Sequence, residues 1–260
     1  MNIKKFNLQQ NLKLALEFIG KRNFSDAINL YRKIIEIDPN NFEANMNLGT
    51  IFAQRDDLEE AIKLWKKAIE INPNDHGVHN NLGLSYVRTG ENDKAIKYLE
   101  LATKLNPNDS NSFSNLGFAQ NQLGEYEKAK SNLLKAISLN PKNFMAHYNI
   151  GNLYKKLNEI NKSEKYYYDV LKISPKFLNA YINLMDLYER SNQDKKLEEI
   201  INKAEKYIKN NATIELFKGN LLYKSKKYSD VIEKLESIKF TNQQNKDEML
   251  KEGSRTSILA

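Results

Sequence analysis

The five prolines of this 260-residue chain are separated by a constant interval of 34 residues. They are Pro39, Pro73, Pro107, Pro141 and Pro175. A proline lacks the backbone donor of a helix and clashes with the preceding turn, so it ends a helix. Regularly spaced helix ends, with no insertion or deletion between them, predict a tandem array of 34-residue units rather than one globular core.

Other residue types fall into phase when each proline is set at position 32 of its unit. The units are then 8–41, 42–75, 76–109, 110–143, 144–177, 178–211 and 212–245, in an array that we assign to residues 1–245. Position 8 is small at Ala15, Gly49, Gly83, Gly117, Gly151 and Gly219, and position 24 is large at Tyr31, Trp65, Leu99, Leu133 and Tyr167. A small residue facing a large one lets two helices approach closely, so each unit predicts a pair of packed amphipathic helices.

The connections between these predicted helices are short. Asp56, Gly90, Gly124, Asn158 and Asn192 occupy the first turn of their units, where a left-handed backbone conformation is needed. The second turn is Asp38-Pro39-Asn40-Asn41 and its equivalents, in which proline stops one helix and Asn or Asp caps the next. We therefore expect seven helix pairs and no strands.

The pattern Leu-Gly-x2-Tyr, then Ala-x3-Phe, then Pro at a period of 34 resembles the tetratricopeptide repeat. The resemblance is strong over 8–177 and weak over 178–245, where Lys209 replaces proline and Met185 and Leu197 fill small positions. It implies an all-α, right-handed superhelical solenoid of helix-turn-helix units, with the first helices lining the inner surface. Divergent last units are typical of the caps of such arrays.

Position 6 is asparagine in five consecutive units, at Asn47, Asn81, Asn115, Asn149 and Asn183. A side-chain amide offers one acceptor and two donors, which match the backbone of an extended peptide. The column resembles the asparagine ladder of O-GlcNAc transferase repeats, and that resemblance implies a peptide-binding site. The alternative is that Asn simply precedes Leu-Gly in this family and contacts no ligand.

The chaperone-tail clamp of the same family requires Lys or Arg at positions 2 and 6 of the third unit. This chain has no basic residue at position 2 of any unit, and position 6 is basic only at Lys13. A grip on phosphate or carboxylate by cations paired at those positions is therefore not predicted.

The formal net charge of +7 is concentrated in the second half. Residues 1–130 carry 17 basic and 17 acidic side chains, whereas 131–260 carry 23 and 16. This excess is compatible with a surface for an anionic partner, or with the Lys, Asn and Ile bias of an AT-rich genome. The strict 34-residue period disfavours the RNA-reading pentatricopeptide repeat, so a nucleic-acid partner is not favoured.

Residues for catalysis or metal binding do not form any recognisable motif. Cysteine is absent, which excludes disulfides and thiolate chemistry, and no phosphate loop, nucleophile elbow or HExxH occurs. Of His76, His79 and His147, the last two fall at position 4, where packing is expected. We expect no cofactor, no metal and no enzymatic activity. The polar N-terminus and the lack of a long apolar run favour a cytoplasmic protein without a membrane partner.

The sequence thus predicts an interaction scaffold that binds an extended segment of a protein or peptide partner along its concave face. An alternative is the N-terminal recognition arm of a larger transferase, of sulfotransferase or glycosyltransferase type. Residues 246–260 are interpreted as a polar segment followed by the start of a truncated helix, because the chain ends on Ile258-Leu259-Ala260.

Overall fold

The computed structural model describes residues 3–225, with side chains from residue 8 onward, and this part of the chain contains only helices. The helices are α1 (Ile3–Gly20), α2 (Phe24–Ile37), α3 (Phe42–Gln54), α4 (Leu58–Ile71), α5 (His76–Arg88), α6 (Asn92–Leu105), α7 (Ser110–Gln122), α8 (Tyr126–Leu139), α9 (Phe144–Lys156), α10 (Ile160–Ile173), α11 (Leu178–Arg190), α12 (Asp194–Tyr207) and α13 (Ala212–Lys224). The predicted all-α class is confirmed. The second helix expected within 212–245, and the segment 246–260, lie outside the described residues.

The helices alternate as first and second members of the 34-residue units, and each pair is joined by a short turn. The described residues fall into two compact units, one ending at Asn149 and the other beginning at Ile150. Within each, helices that follow one another along the chain pack together, as α3 does with α4 and α11 with α12. Short connections of this kind produce antiparallel helical hairpins.

The turn residues act as the sequence predicts. Asp56, Gly90 and Gly124 have positive φ values of 67°, 81° and 81°, which closes the first turn of each unit. Asn41 and Asp75 follow a proline turn and accept hydrogen bonds from the backbone N–H groups of Ala44 (3.0 Å) and Val78 (2.9 Å). These side chains satisfy donors at a helix N-terminus that would otherwise have no partner.

Close packing of position 8 against position 24 explains the small-large pairing. A Cβ added to Gly83 would lie 2.5 Å from Cγ of Leu99, and one added to Gly117 would lie 2.6 Å from Cγ of Leu133. Leu99 and Leu133 have no exposed surface. Glycine is therefore required at these positions because the facing side chain occupies the space of a Cβ.

Position 4 ties each first helix to the proline turn before it, a contact that the sequence did not predict. Four such side chains bond to the proline carbonyl six residues earlier: Asn45 to Pro39 (3.2 Å), His79 to Pro73 (2.8 Å), His147 to Pro141 (3.0 Å) and Tyr181 to Pro175 (3.0 Å). A carbonyl can only accept, so Nε2 of each histidine carries the hydrogen. His79 and His147 are buried, which confirms their predicted packing role.

None of the helices within residues 3–225 is both long and apolar enough to cross a membrane. Over the same range, His, Asp and Glu side chains do not gather in groups of three or more that could hold a metal ion.

Candidate binding face of the first helices

A cleft of about 390 Å³ opens between the first helices α3 and α5. It is lined by Thr50, Ala53, Gln54, Trp65, Asn81, Leu84, Ser85 and Arg88. Apart from Trp65, these residues come from positions 6, 9, 10, 12 and 13 of their units. We call the surface formed by these positions on α3, α5, α7 and the start of α9 the first-helix face.

Asn81 is the column residue that opens into this cleft. Its side chain is half-buried, and its amide makes no hydrogen bond to any residue in the described part of the chain. The amide therefore keeps both donors and its acceptor available to a ligand.

The column amides of the following two units are partly used inside the protein. Asn115 donates from Nδ2 to Oδ1 of Asn80 at 3.0 Å, and Asn149 donates to Oγ of Ser114 at 3.4 Å. Each bond runs to position 5 of the preceding unit. Asn115 is half-buried, whereas only 5% of Asn149 is exposed. Asn115 can therefore offer its remaining groups to a ligand more readily than Asn149.

Asn47 also faces the preceding unit, where it lies beside the hydroxyl of Tyr31. Burial raises the pKa of Tyr31 to about 12, and the Asn47 side chain acts in the opposite direction. Asn47 is half-buried. Position 6 of the first helix thus contacts the previous unit in several repeats.

Family models match most of this region of the chain. Models described as tetratricopeptide repeat or TPR repeat match residues 18–65, 49–90, 76–109, 98–131, 119–158 and 144–177. The chain belongs to the tetratricopeptide-repeat (TPR) family. The matches together cover 18–177, which is the part where the proline spacing is strict.

Solved structures share this TPR fold. A TPR protein from Parabacteroides merdae is 19% identical to the chain, with a TM-score of 0.70 over 94% of this chain and 97% of that one. A chain of the APC/C hetero-tetramer Cut9–Hcn1 is 18% identical, with a TM-score of 0.72 and coverage of 83% and 43%. MamA is 27% identical, with a TM-score of 0.55 and coverage of 64% and 96%. The sequence matches none of the curated proteins with which it was compared.

In the second compact unit, several of the same TPR positions carry charged side chains. Asn183 donates to Oδ1 of Asn152 at 2.9 Å and accepts from Nζ of Lys155 at 3.3 Å. Lys155 also pairs with Asp186 at 2.7 Å, and Arg190 donates to Asp186 at 2.7 Å. Burial opposes ionisation of Asp186, but these two cations hold its pKa below the usual range. The last column residue therefore belongs to a network of charged side chains.

A larger groove of about 930 Å³ lies elsewhere in the first compact unit, between the second helices α2 and α4. Its floor includes Leu48 and Phe52 of α3, and the guanidinium of Arg32 lies 5.8 Å from the Phe52 ring centre. Basic and acidic side chains both line it. No polar group of the asparagine column lies in this groove.

Sequence reasoning missed Arg88 as a residue of the first-helix face. Arg88 donates from Nη1 to the carbonyl of Ala53 at 3.3 Å and forms an ion pair with Asp56. Its position, 13, is the one that Arg190 occupies three units later, so the TPR phase could have identified it. No pattern in the sequence indicates that the Asn81 amide makes no hydrogen bond to the other described residues.

Proposed function

We propose that this TPR protein is an interaction scaffold whose first-helix face, within residues 1–149, binds an extended segment of a partner protein. The observation that carries the proposal is the Asn81 amide, which has no partner among the described residues and lines a cleft between two first helices. Membership of the TPR family supports a protein-binding role, and one protein of this fold is part of a hetero-tetramer.

Asn81 and Asn115 are the principal contacts in this proposal. An amide that donates to a peptide carbonyl and accepts from a peptide N–H recognises backbone and ignores side-chain identity. Asn47 contributes at one end of the same face. Asn149 is already engaged within the protein, so we assign it a weaker contribution. Asn183 belongs to the second compact unit, where it bonds to Asn152 and Lys155, and it is not one of the contacts proposed here.

The proposal is tested by selecting peptides from a random decapeptide library on the full chain and measuring their affinities. The change of Asn81 and Asn115 together to Ala is expected to weaken binding by about 2 kcal/mol, or roughly thirtyfold, because each amide contact contributes about 1 kcal/mol. Affinity is expected to change little with salt, since neutral amides are involved. N-methylation of the central peptide bonds should weaken binding similarly.

The matched control is Asn80→Ala. It removes the bond between Asn80 and Asn115 but leaves the column amide in place. This variant should bind selected peptides nearly as well as the wild type. Unchanged affinity in the double variant, or a loss of equal size in Asn80→Ala, would mean that the column only joins neighbouring units.

A further inference from the structure

The cleft between α3 and α5 is rich in hydrogen-bond donors and has no acidic side chain in its lining. Its polar groups belong to Thr50, Gln54, Asn81, Ser85 and Arg88. The groove between α2 and α4 differs, because Glu36, Glu59, Glu60 and Glu70 take part in lining it. Because the lining of the cleft offers more donors than acceptors, it favours a ligand whose polar atoms are acceptors.

Several of these donors are unused. Asn81 and Ser85 make no side-chain hydrogen bond to any residue in the described part of the chain, although Ser85 is only 3% exposed. The Thr50 hydroxyl is engaged, since it donates to the carbonyl of Met46 at 3.0 Å. The Ser85 hydroxyl lines the cleft and has no partner among the described residues, so it can donate to a ligand acceptor there.

Arg88 supplies the only formal charge in the lining of the cleft. Two of its donors are used by the Ala53 carbonyl and by Asp56, and a guanidinium has five N–H groups in all. The Asp56 side chain is 79% exposed, and exposed ion pairs stabilise by only about 0–1 kcal/mol. Asp56 therefore competes weakly, and a second carboxylate can share or replace it.

We propose that this cleft binds a carboxylate of the partner segment, with Arg88 as the charged group and Asn81 and Ser85 as neutral donors. The inference rests on the proposed function and specifies its ligand. The apolar wall of Ala53, Trp65 and Leu84 limits access of water to these bonds. An ionised acceptor at such donors forms stronger bonds than a neutral amide does.

Trp65 allows the cleft to be observed directly. It is the only tryptophan of the chain and lines the cleft, with its Nε1 donating to the Met46 carbonyl at 3.0 Å. The full chain labelled with ¹⁵N therefore has one indole N–H signal in its NMR spectrum. N-acetyl-glutamate α-amide is the probe, and N-acetyl-glutamine α-amide is its neutral control. The acid should shift this signal at concentrations about fivefold to tenfold lower than the amide does.

Arg88→Gln should remove the preference for the acid. Arg55→Gln is the matched control, because Arg55 is exposed at the end of α3 and is not part of the cleft lining. Arg55→Gln changes the net charge by the same amount and should still bind the acid in preference to the amide. Asp56→Asn, which leaves every lining residue intact, should strengthen acid binding by removing the competitor of Arg88. N-acetyl-alanine, whose only carboxylate is terminal, distinguishes a chain end from a side chain as the source.

Equal shifts from acid and amide, or no shift from either at about 50 mM, would overturn the carboxylate proposal. So would an equal loss of preference in Arg55→Gln and Arg88→Gln. These outcomes do not depend on a peptide having been selected, and backbone recognition by Asn81 and Asn115 would stand if only this test failed. Failure of the library selection alone would instead remove the proposed function.

Discussion

Single residues decide how closely the two helices of a unit pack. Gly117 is the clearest case, since a Cβ there would meet Cγ of Leu133 at 2.6 Å and the backbone carbonyl of Ala129 at 2.9 Å. The sequence identified position 8 as small because it repeats with the period of the prolines. Why it must be glycine rather than alanine depends on how closely the facing side chain and backbone approach, which no pattern of residue types contains.

Gly117→Ala is therefore expected to destabilise the protein by about 1–3 kcal/mol, because a tightly packed core must shift to admit the methyl group. Gly20→Ala is the control, since a Cβ at Gly20 meets no described atom within 4 Å and alanine favours a helix. The control should leave stability unchanged or raise it. Urea unfolding followed by circular dichroism measures both, and equal effects would show that close packing is not the cause.

At the scale of helical elements, positions 11 and 23 form a coupled pair within a unit. Two pairs are stacked aromatic rings with centroids 5.6 Å apart, Tyr86 with Tyr98 and Tyr154 with Tyr166. In the unit 110–143 the same positions hold Gln120 and Asn132, and Asn132 donates to Oε1 of Gln120 at 2.7 Å. The amide pair thus replaces an aromatic pair without leaving the buried Gln120 unsatisfied.

Changing Gln120 and Asn132 together to tyrosine should introduce the stacked aromatic pair into the unit 110–143. Gln120→Tyr alone or Asn132→Tyr alone should destabilise the protein, because each leaves one amide of the pair without its partner. The double variant should recover stability, with a coupling energy of about 1 kcal/mol or more. A double-mutant cycle from urea unfolding gives this value. Additive effects of the two changes would contradict the pairing.

At the scale of the whole molecule, the sequence predicted the helices, their turns and the family, since these follow from residues repeated every 34 positions. It also placed the asparagine column. It could not show that Asn115 and Asn149 donate to the preceding unit while Asn81 does not, because each contact depends on the residue at position 5 of another repeat. Such contacts between repeats arise only once the helices are packed, and they decide which amides are available to a ligand.

Buried tyrosines in both compact units make the stability of the molecule sensitive to alkaline pH. Burial raises the pKa to about 12 at Tyr31 in the first unit and at Tyr181 in the second. The pKa of Tyr188 is raised as well, by burial and then by its hydrogen bonds with Tyr168 and Glu164. All three side chains have no exposed surface, whereas in the unfolded chain their pKa is near 10.

Because the folded pKa is the higher one, this stabilisation is fully present below pH 10 and is lost as the pH rises through 12. Each such tyrosine should lower the free energy of unfolding by about 1.4 kcal/mol per pH unit in that range. Urea unfolding of the full chain at pH 9, 10 and 11 measures the slope. Tyr31→Phe keeps the ring but cannot ionise. Its free energy of unfolding should therefore fall less steeply with pH than that of the wild type, by up to about 1.4 kcal/mol per pH unit. All other ionisable groups are the same in the two proteins. Identical slopes would therefore mean that Tyr31 has the same pKa in the folded and the unfolded chain, which would contradict the prediction.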